Sequence, residues 1–130
     1  MTAIARIRER LAGHPEARCT ETESSITVEP SDALGFPVSL HVRDQGFTVH
    51  FAGWHEEFEA GKETDALNCF AVGLSDKVRL KVFSNASQDY KWVLESRDGE
   101  QWSEDSTTGL LFVVASKPSI RYLQNHVIKL

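Results

Sequence analysis

Two helices are predicted from apolar residues that recur three or four positions apart. Near the start of the chain, Ile4, Ile7 and Leu11 share one helical face, and Thr2 is placed to cap that helix. The second predicted helix, residues 62–74, is apolar on almost every side and carries acidic residues in its first turn. Because a flat sheet covers only one side of a helix, we expect a curved sheet, the first helix or a second copy of the chain to cover its back.

The rest of the chain alternates between apolar and polar residues and predicts strands. Before the second helix, the predicted strands span residues 24–29, 36–43, 47–51 and 54–59, and the polar residues 13–23 predict a loop. After it, strands are predicted around residues 77–82, 90–95, 110–115 and 120–124, with a hairpin turn at Asp98-Gly99 before a strand at residues 101–102. Short connections favour antiparallel pairing. We therefore predict an α+β fold in a single domain of residues 1–130, with one largely antiparallel sheet of about seven to eight strands packed on one buried helix (62–74) and a short N-terminal helix.

Matching the apolar faces predicts the register of two neighbouring hairpins. The turn at residues 43–46 places Leu40 opposite Val49, because a slip of one residue would turn the apolar side chains of the strand toward water. A tight turn at residues 52–53, favoured over a bulge, keeps Trp54 on the core side.

These registers place imidazoles and a carboxylate together on the outer face of the sheet. The candidate ligand-binding residues are His41, His50, His55 and Glu57. Directly opposed Cβ atoms are about 5 Å apart and diagonal ones about 7 Å. At that spacing the four side chains could hold a small ligand or an ion such as zinc, whose ligand bonds are about 2 Å long. The alternative is the ordinary wet face of an antiparallel sheet. Because the set matches no known metal-ligand motif, we assign no metal.

Glu56 is a candidate buried acid, because its position in the strand points it inward beside Trp54. A desolvated carboxylate there would have a raised pKa, as general acids in enzymes do. The alternative is a frayed edge strand in which Glu56 reaches water. Cys69 lies in the apolar helix and is expected to be an inert, buried thiol. We assign no catalytic residue.

A short basic stripe is the candidate interface. Its residues are Lys77, Arg79, Lys81, Phe83 and Lys91. Such a patch in an acidic chain could receive an acidic partner or an anionic ligand. Phe83 shares the outer face with the lysines, which is typical of an interface, although single exposed aromatic residues are also common.

Composition and charge narrow the class of function. The 130 residues include 14 basic and 19 acidic side chains, for a net charge of −5, which argues against a nucleic-acid partner. No apolar stretch approaches the roughly 20 residues that span a bilayer, so no membrane partner is expected. The charged N-terminal residues do not form a secretory signal, and the two cysteines form no C-x-x-C motif, so we expect a cytoplasmic protein with free thiols.

The sequence favours a binding protein and does not indicate an enzyme with a particular reaction. It contains no phosphate-binding loop, dinucleotide fingerprint, nucleophile elbow or zinc spacing, so no cofactor is assigned. We expect a non-catalytic binding or interaction module that self-associates as a homo-oligomer or binds a protein partner. The alternative is a small enzyme or a ligand or metal carrier, which would use the histidine face or a pocket between helix and sheet.

Overall fold

Two antiparallel sheets and two helices appear in a computed structural model that describes residues 1–109 and 117–130. The helices are α1 (Ala3–Leu11) and α2 (Glu63–Leu74), and a 3₁₀ turn (Ala60–Lys62) precedes α2. The first sheet contains, in chain order, β1 (Arg18–Glu21), β2 (Ser25–Glu29), β3 (Val38–Arg43), β4 (Gly46–Phe51) and β5 (Trp54–Glu59). The second sheet has the order β8-β7-β6-β9 and is formed by β6 (Val78–Asn85), β7 (Gln88–Asp98), β8 (Gln101–Gly109) and β9 (Ser119–Leu123).

The predicted α+β class is confirmed, but the described strands form two sheets rather than one. Helix α2 contacts β3, β4 and β5 of the first sheet and β6 of the second. Where β5 approaches β8, the His55 N–H donates to the side-chain oxygen of Thr108 at 3.2 Å instead of to a strand carbonyl. The strand ladder is therefore not continuous, and one core joins the buried residues of both sheets and both helices.

The local predictions for α1 and for strands β3 to β5 are confirmed. The Thr2 hydroxyl accepts a hydrogen bond from the Ala5 N–H at 3.1 Å, which caps α1. Leu40 lies opposite Val49, as the apolar faces require. The turn at residues 52–53 is tight, with Phe51 paired to Trp54 across it.

Two other local predictions differ from the structure, and a third lies outside the described residues. Residues 13–23 contain strand β1, which the polar sequence concealed because all four of its residues are exposed. It pairs with β2. The hairpin turn predicted at Asp98-Gly99 is displaced by one residue: Asp98 pairs with Gln101, and Gly99 adopts φ +65° in the loop. The strand predicted at residues 110–115 lies outside the described residues.

Helix α2 is fully buried on one face, and the expected covering of its back by the first helix is only partial. Ala66, Phe70 and Leu74 are buried against the sheets, whereas Leu67 and Ala71 are half-buried on the other side. Helix α1 packs against α2 and covers part of its back. Within the described part of the chain, no helix has the length and apolar character needed to cross a membrane.

The closest approach of α2 to the first sheet is at Gly73. The aromatic ring of Phe51 occupies the space that a Cβ atom on Gly73 would need. Phe51 is fully buried and stacks on Trp54 with 4.6 Å between ring centroids, so its ring has little room to move. A glycine at this position lets the helix backbone lie directly on the aromatic core.

Asn125 ties three distant segments together in the interior. Its side-chain oxygen accepts a hydrogen bond from the Phe36 N–H at 3.0 Å. Its side-chain N–H₂ donates to the carbonyls of Phe36 and Gly73, both at 2.9 Å. Because Asn125 is 2% exposed, these bonds satisfy backbone groups that water does not reach. They hold the end of α2 beside the strand entry at Phe36.

We predict that Gly73→Ala destabilises the protein. Alanine ordinarily stabilises a helix by about 1 kcal/mol relative to glycine, but the added methyl group would overlap the Phe51 ring. Overpacking of this kind costs about 1–3 kcal/mol and outweighs the helix gain, so the net free energy of unfolding should fall by up to about 2 kcal/mol in urea denaturation. The control is Gly61→Ala, because a Cβ atom there meets no atom within 4 Å. A Gly73→Ala protein as stable as this control would contradict the close packing.

Candidate binding surfaces

The histidine face is the outer surface of the first sheet around His41, His50, His55 and Glu57. His50 on β4 lies opposite His55 on β5. Glu57 lies opposite Thr48, which also pairs with His41 on β3. Ring centroids are 5.0 Å apart for His41 and His50, and 5.6 Å apart for His50 and His55. The predicted register is therefore correct: His50 and His55 are directly opposed, and His41 lies diagonally from His50.

Hydroxyl groups surround these imidazoles. Ser39 lies opposite His50, and its hydroxyl is 3.4 Å from Nε2 of His41. The neighbouring hydroxyl residues Ser25 and Thr48 are buried, although they point to the outer side of the sheet. The middle of the histidine face is thus polar but only partly exposed to solvent.

Burial and neighbouring positive charge lower the pKa of two imidazoles. For His41, desolvation is the larger cause of the lowered pKa, and the charge of Arg43 adds to it. For His50, desolvation again lowers the pKa most, followed by His41, His55 and Arg43. Both rings are therefore neutral at pH 7, and each has one ring nitrogen with a lone pair that can accept a proton or bind a metal.

The three imidazoles do not enclose a common point. Among residues 1–109 and 117–130, no group of three or more histidine, cysteine, aspartate or glutamate side chains is arranged to hold a metal ion. His41 and His55 lie on strands at either side of β4, with His50 between them. The assignment of His41, His50, His55 and Glu57 to a ligand stays a prediction.

The expectation that Glu56 is a buried acid is wrong. Its position in the strand does direct it toward α2, where its Oε2 lies 3.9 Å from the Cys69 Sγ. Glu56 is nevertheless exposed, because β5 is the last strand of the first sheet. Desolvation and the negative charge of Glu56 raise the pKa of the half-buried Cys69 thiol to about 12, so this thiol is protonated and unreactive at pH 7.

The basic stripe lies on the outer face of the second sheet, and Arg79 is the member bound most firmly within the chain. Its Nε donates to the Glu95 carboxylate at 2.7 Å, and Glu95 is buried. Its guanidinium carbon lies 4.3 Å from the ring centroids of both Trp102 and Tyr122. These contacts give Arg79 a structural role, because its charge is already paired with a carboxylate and its planar group contacts two aromatic rings.

The other members of the stripe are available for contact. On β6 and β7, the Phe83 ring centroid lies 5.4 Å from the Lys81 Nζ and 4.7 Å from the Lys91 Nζ. Within the described part of the chain, neither lysine forms an ion pair. Lys77 is exposed one residue before β6 and lies apart from the Phe83 cluster.

Strand β9 extends this cluster with two residues that sequence reasoning missed. Ile120 pairs with Phe83 and is 47% exposed, and Tyr122 pairs with Lys81 and is 45% exposed. Paired residues share one face of a sheet, so these side chains lie beside the lysines. No sequence signal fixes which strand β9 joins. We call the surface formed by Lys81, Phe83, Lys91, Ile120 and Tyr122 the basic–aromatic face.

A groove of about 700 Å³ lies between the two helices and the last residues of the chain, rather than between helix and sheet. Its apolar lining includes Ile7 of α1 and the half-buried Leu67 and Ala71 of α2. Arg10 and Lys129 add positive charge to its lining. The groove thus borders the side of α2 that the sheets leave uncovered.

Comparison with known proteins found no match for this chain. No protein-family model matches it, and neither a curated protein nor a solved structure does.

We predict that mild acid weakens the fold through His41 and His50. In the unfolded chain a histidine has a pKa of about 6.5, and the folded protein lowers the pKa of both residues. Below about pH 6.5 the unfolded chain therefore binds more protons, so the free energy of unfolding falls as the pH falls through this window and is fully recovered above it. In urea denaturation, the variant His41→Gln/His50→Gln should lose less stability between about pH 7 and about pH 5.5 than the unmodified protein does.

The matched control for that experiment is His14→Gln, which removes a histidine from the turn after α1 and leaves the histidine face intact. It should retain the pH dependence of the unmodified protein. An equal loss of stability in the double variant and the control would show that the two imidazoles do not contribute.

Proposed function

We propose that the protein is a non-catalytic binding module that self-associates through the basic–aromatic face. The observation that supports this proposal is the Phe83 ring close to two ammonium groups, beside the exposed Ile120 and Tyr122. Aromatic and apolar side chains of this kind form the buried centre of protein interfaces. The two lysines at its margin favour an acidic partner and disfavour a basic one.

A second copy of the chain offers the acidic surface that this face requires. The chain has a net charge of −5, and β5 exposes Glu56, Glu57 and Glu59. Contact between β5 of one copy and the basic–aromatic face of another would bring opposite charges together. The same acidic balance supports a protein rather than a nucleic acid as the partner. A cytoplasmic location belongs to this proposal, and the free thiols of Cys19 and Cys69 suit a reducing compartment.

Charge reversal on the basic–aromatic face should weaken self-association. Light scattering after size-exclusion chromatography, at high micromolar protein concentration, should give a mass above the 14.6 kDa of one chain. We expect Lys81→Glu/Lys91→Glu to raise the dissociation constant at least about tenfold, because two cations would become repulsive toward the acidic partner surface. The control Lys62→Glu/Lys129→Glu changes the net charge equally, away from this face, and should associate as the unmodified protein does.

Mixing complementary variants distinguishes a specific contact from a general effect of charge. Glu57→Lys/Glu59→Lys alone should also dissociate, and mixing it with Lys81→Glu/Lys91→Glu should restore an assembly. A monomeric unmodified protein, or equal behaviour of the basic-face variant and its control, would contradict the proposal.

The groove between the helices supports a second candidate function, that of a carrier for an anionic amphiphile. Its volume of about 700 Å³ lies within the range of about 300–1,000 Å³ that is typical of small-molecule sites. The apolar Leu67 and Ala71 would contact a hydrocarbon chain, and Arg10 and Lys129 would attract a carboxylate. A fatty acid combines these two features in one molecule.

We predict that palmitate binds in this groove below its critical micelle concentration. Isothermal titration calorimetry should detect binding to the unmodified protein, and Ala71→Trp should abolish it because the indole would occupy the groove. Arg10→Ala should weaken binding about threefold to tenfold, through loss of a charge-assisted contact. Lys62→Ala, outside the groove, is the control. Undiminished binding to a folded Ala71→Trp protein would exclude the groove as the site.

A further inference from the structure

The histidine face contains a pair of imidazoles whose separation is close to that of two metal ligands. His50 and His55 are directly opposed across β4 and β5, and their ring centroids are 5.6 Å apart. In a tetrahedral zinc site with bonds of about 2.0 Å, the centres of two bound imidazoles are roughly 5 Å apart. Side-chain rotation alone can therefore bring one nitrogen of each ring to a shared ion, with no movement of the strands.

His55 is freer than His41 to act with His50, although the ring centroids of His41 and His50 are closer together, at 5.0 Å. The rings of His50 and His55 are tilted by 38°, whereas those of His41 and His50 meet at 81°. The Nε2 of His41 is within 3.4 Å of the Ser39 hydroxyl, which competes for that nitrogen. His55 is exposed and makes no side-chain hydrogen bond within the described residues, so its ring is able to turn toward an ion.

The surrounding charges permit a divalent ion at this pair. Glu57 follows His55 on the same face of β5, and Glu59 follows it in turn, so the outer strand supplies negative charge. Arg43 on β3 is the opposing cation, and it lies on the His41 side of the face.

From this geometry we infer that His50 and His55 together chelate a divalent transition-metal ion such as Zn²⁺ or Ni²⁺, with water in the remaining coordination positions. Imidazole nitrogen is a preferred ligand for both ions. Two protein ligands leave the ion open to solvent or to a further donor, in contrast to the four protein ligands of a structural zinc site. The site lies on the first sheet and does not depend on either proposed function.

Titration with Zn²⁺ and with Ni²⁺ tests this inference directly. Isothermal titration calorimetry at pH 7.5 should give one ion per chain, and the ion should raise the melting temperature. His50→Ala and His55→Ala should each weaken binding at least about tenfold, because each removes one of two ligands. His41→Ala should bind within about threefold of the unmodified protein. The controls His14→Ala and His126→Ala remove the two histidines outside the face and should bind normally.

A second readout separates loss of a ligand from loss of the fold. The conservative variants His50→Gln and His55→Gln should retain the metal-free melting temperature and still fail to bind. With Ni²⁺, paramagnetic broadening of backbone NMR signals should centre on residues 50 and 55. Binding that survives in both His50 variants, or that is lost in His41→Ala and retained in His55→Ala, would overturn the inference.

Discussion

The contact between Gly73 and the Phe51 ring is the constraint on which the rest of the structure depends. The absence of a side chain at this point of α2 lets the helix backbone lie on the aromatic core of the first sheet. Asn125 then bonds the Gly73 carbonyl and both backbone groups of Phe36. Because these groups are buried, leaving one unpaired would cost about 1–3 kcal/mol. The hydrogen bonds therefore fix the position of α2, and the apolar contact alone does not.

The packing of α2 on the core determines which surfaces stay exposed and available for binding. One side of each sheet faces the shared core, and the opposite sides are partly exposed to water. The histidine face and the basic–aromatic face are these outer sides, and their residues are paired across strands by the same registers that bury the apolar residues. The uncovered side of α2 borders the third surface, the groove. The binding chemistry thus follows from how the apolar residues are buried.

The sequence was sufficient to predict features that depend only on which face of a strand each residue occupies. Leu40 opposite Val49 and His50 opposite His55 follow from alternation and a short turn. The sequence was insufficient to predict features that depend on contacts between elements distant in the chain. Parity directs Glu56 toward α2 but cannot show that β5 is an edge strand reached by water. Alternation likewise cannot show that the strands divide into two sheets, or that Ile120 lies beside Phe83. The exposed strand β1 had no apolar pattern to detect.

Native-state amide hydrogen exchange tests most directly whether α2 is an integral part of the core. If α2 is held as described, the amides from Phe70 to Leu74 open only when the whole protein unfolds. Their free energies of exchange should then equal those of the central strands β4 and β6, and should fall with denaturant at the same slope. Exchange of the α2 amides at a clearly lower free energy than β4 and β6 would contradict the account, because the helix would open while the sheets stayed folded.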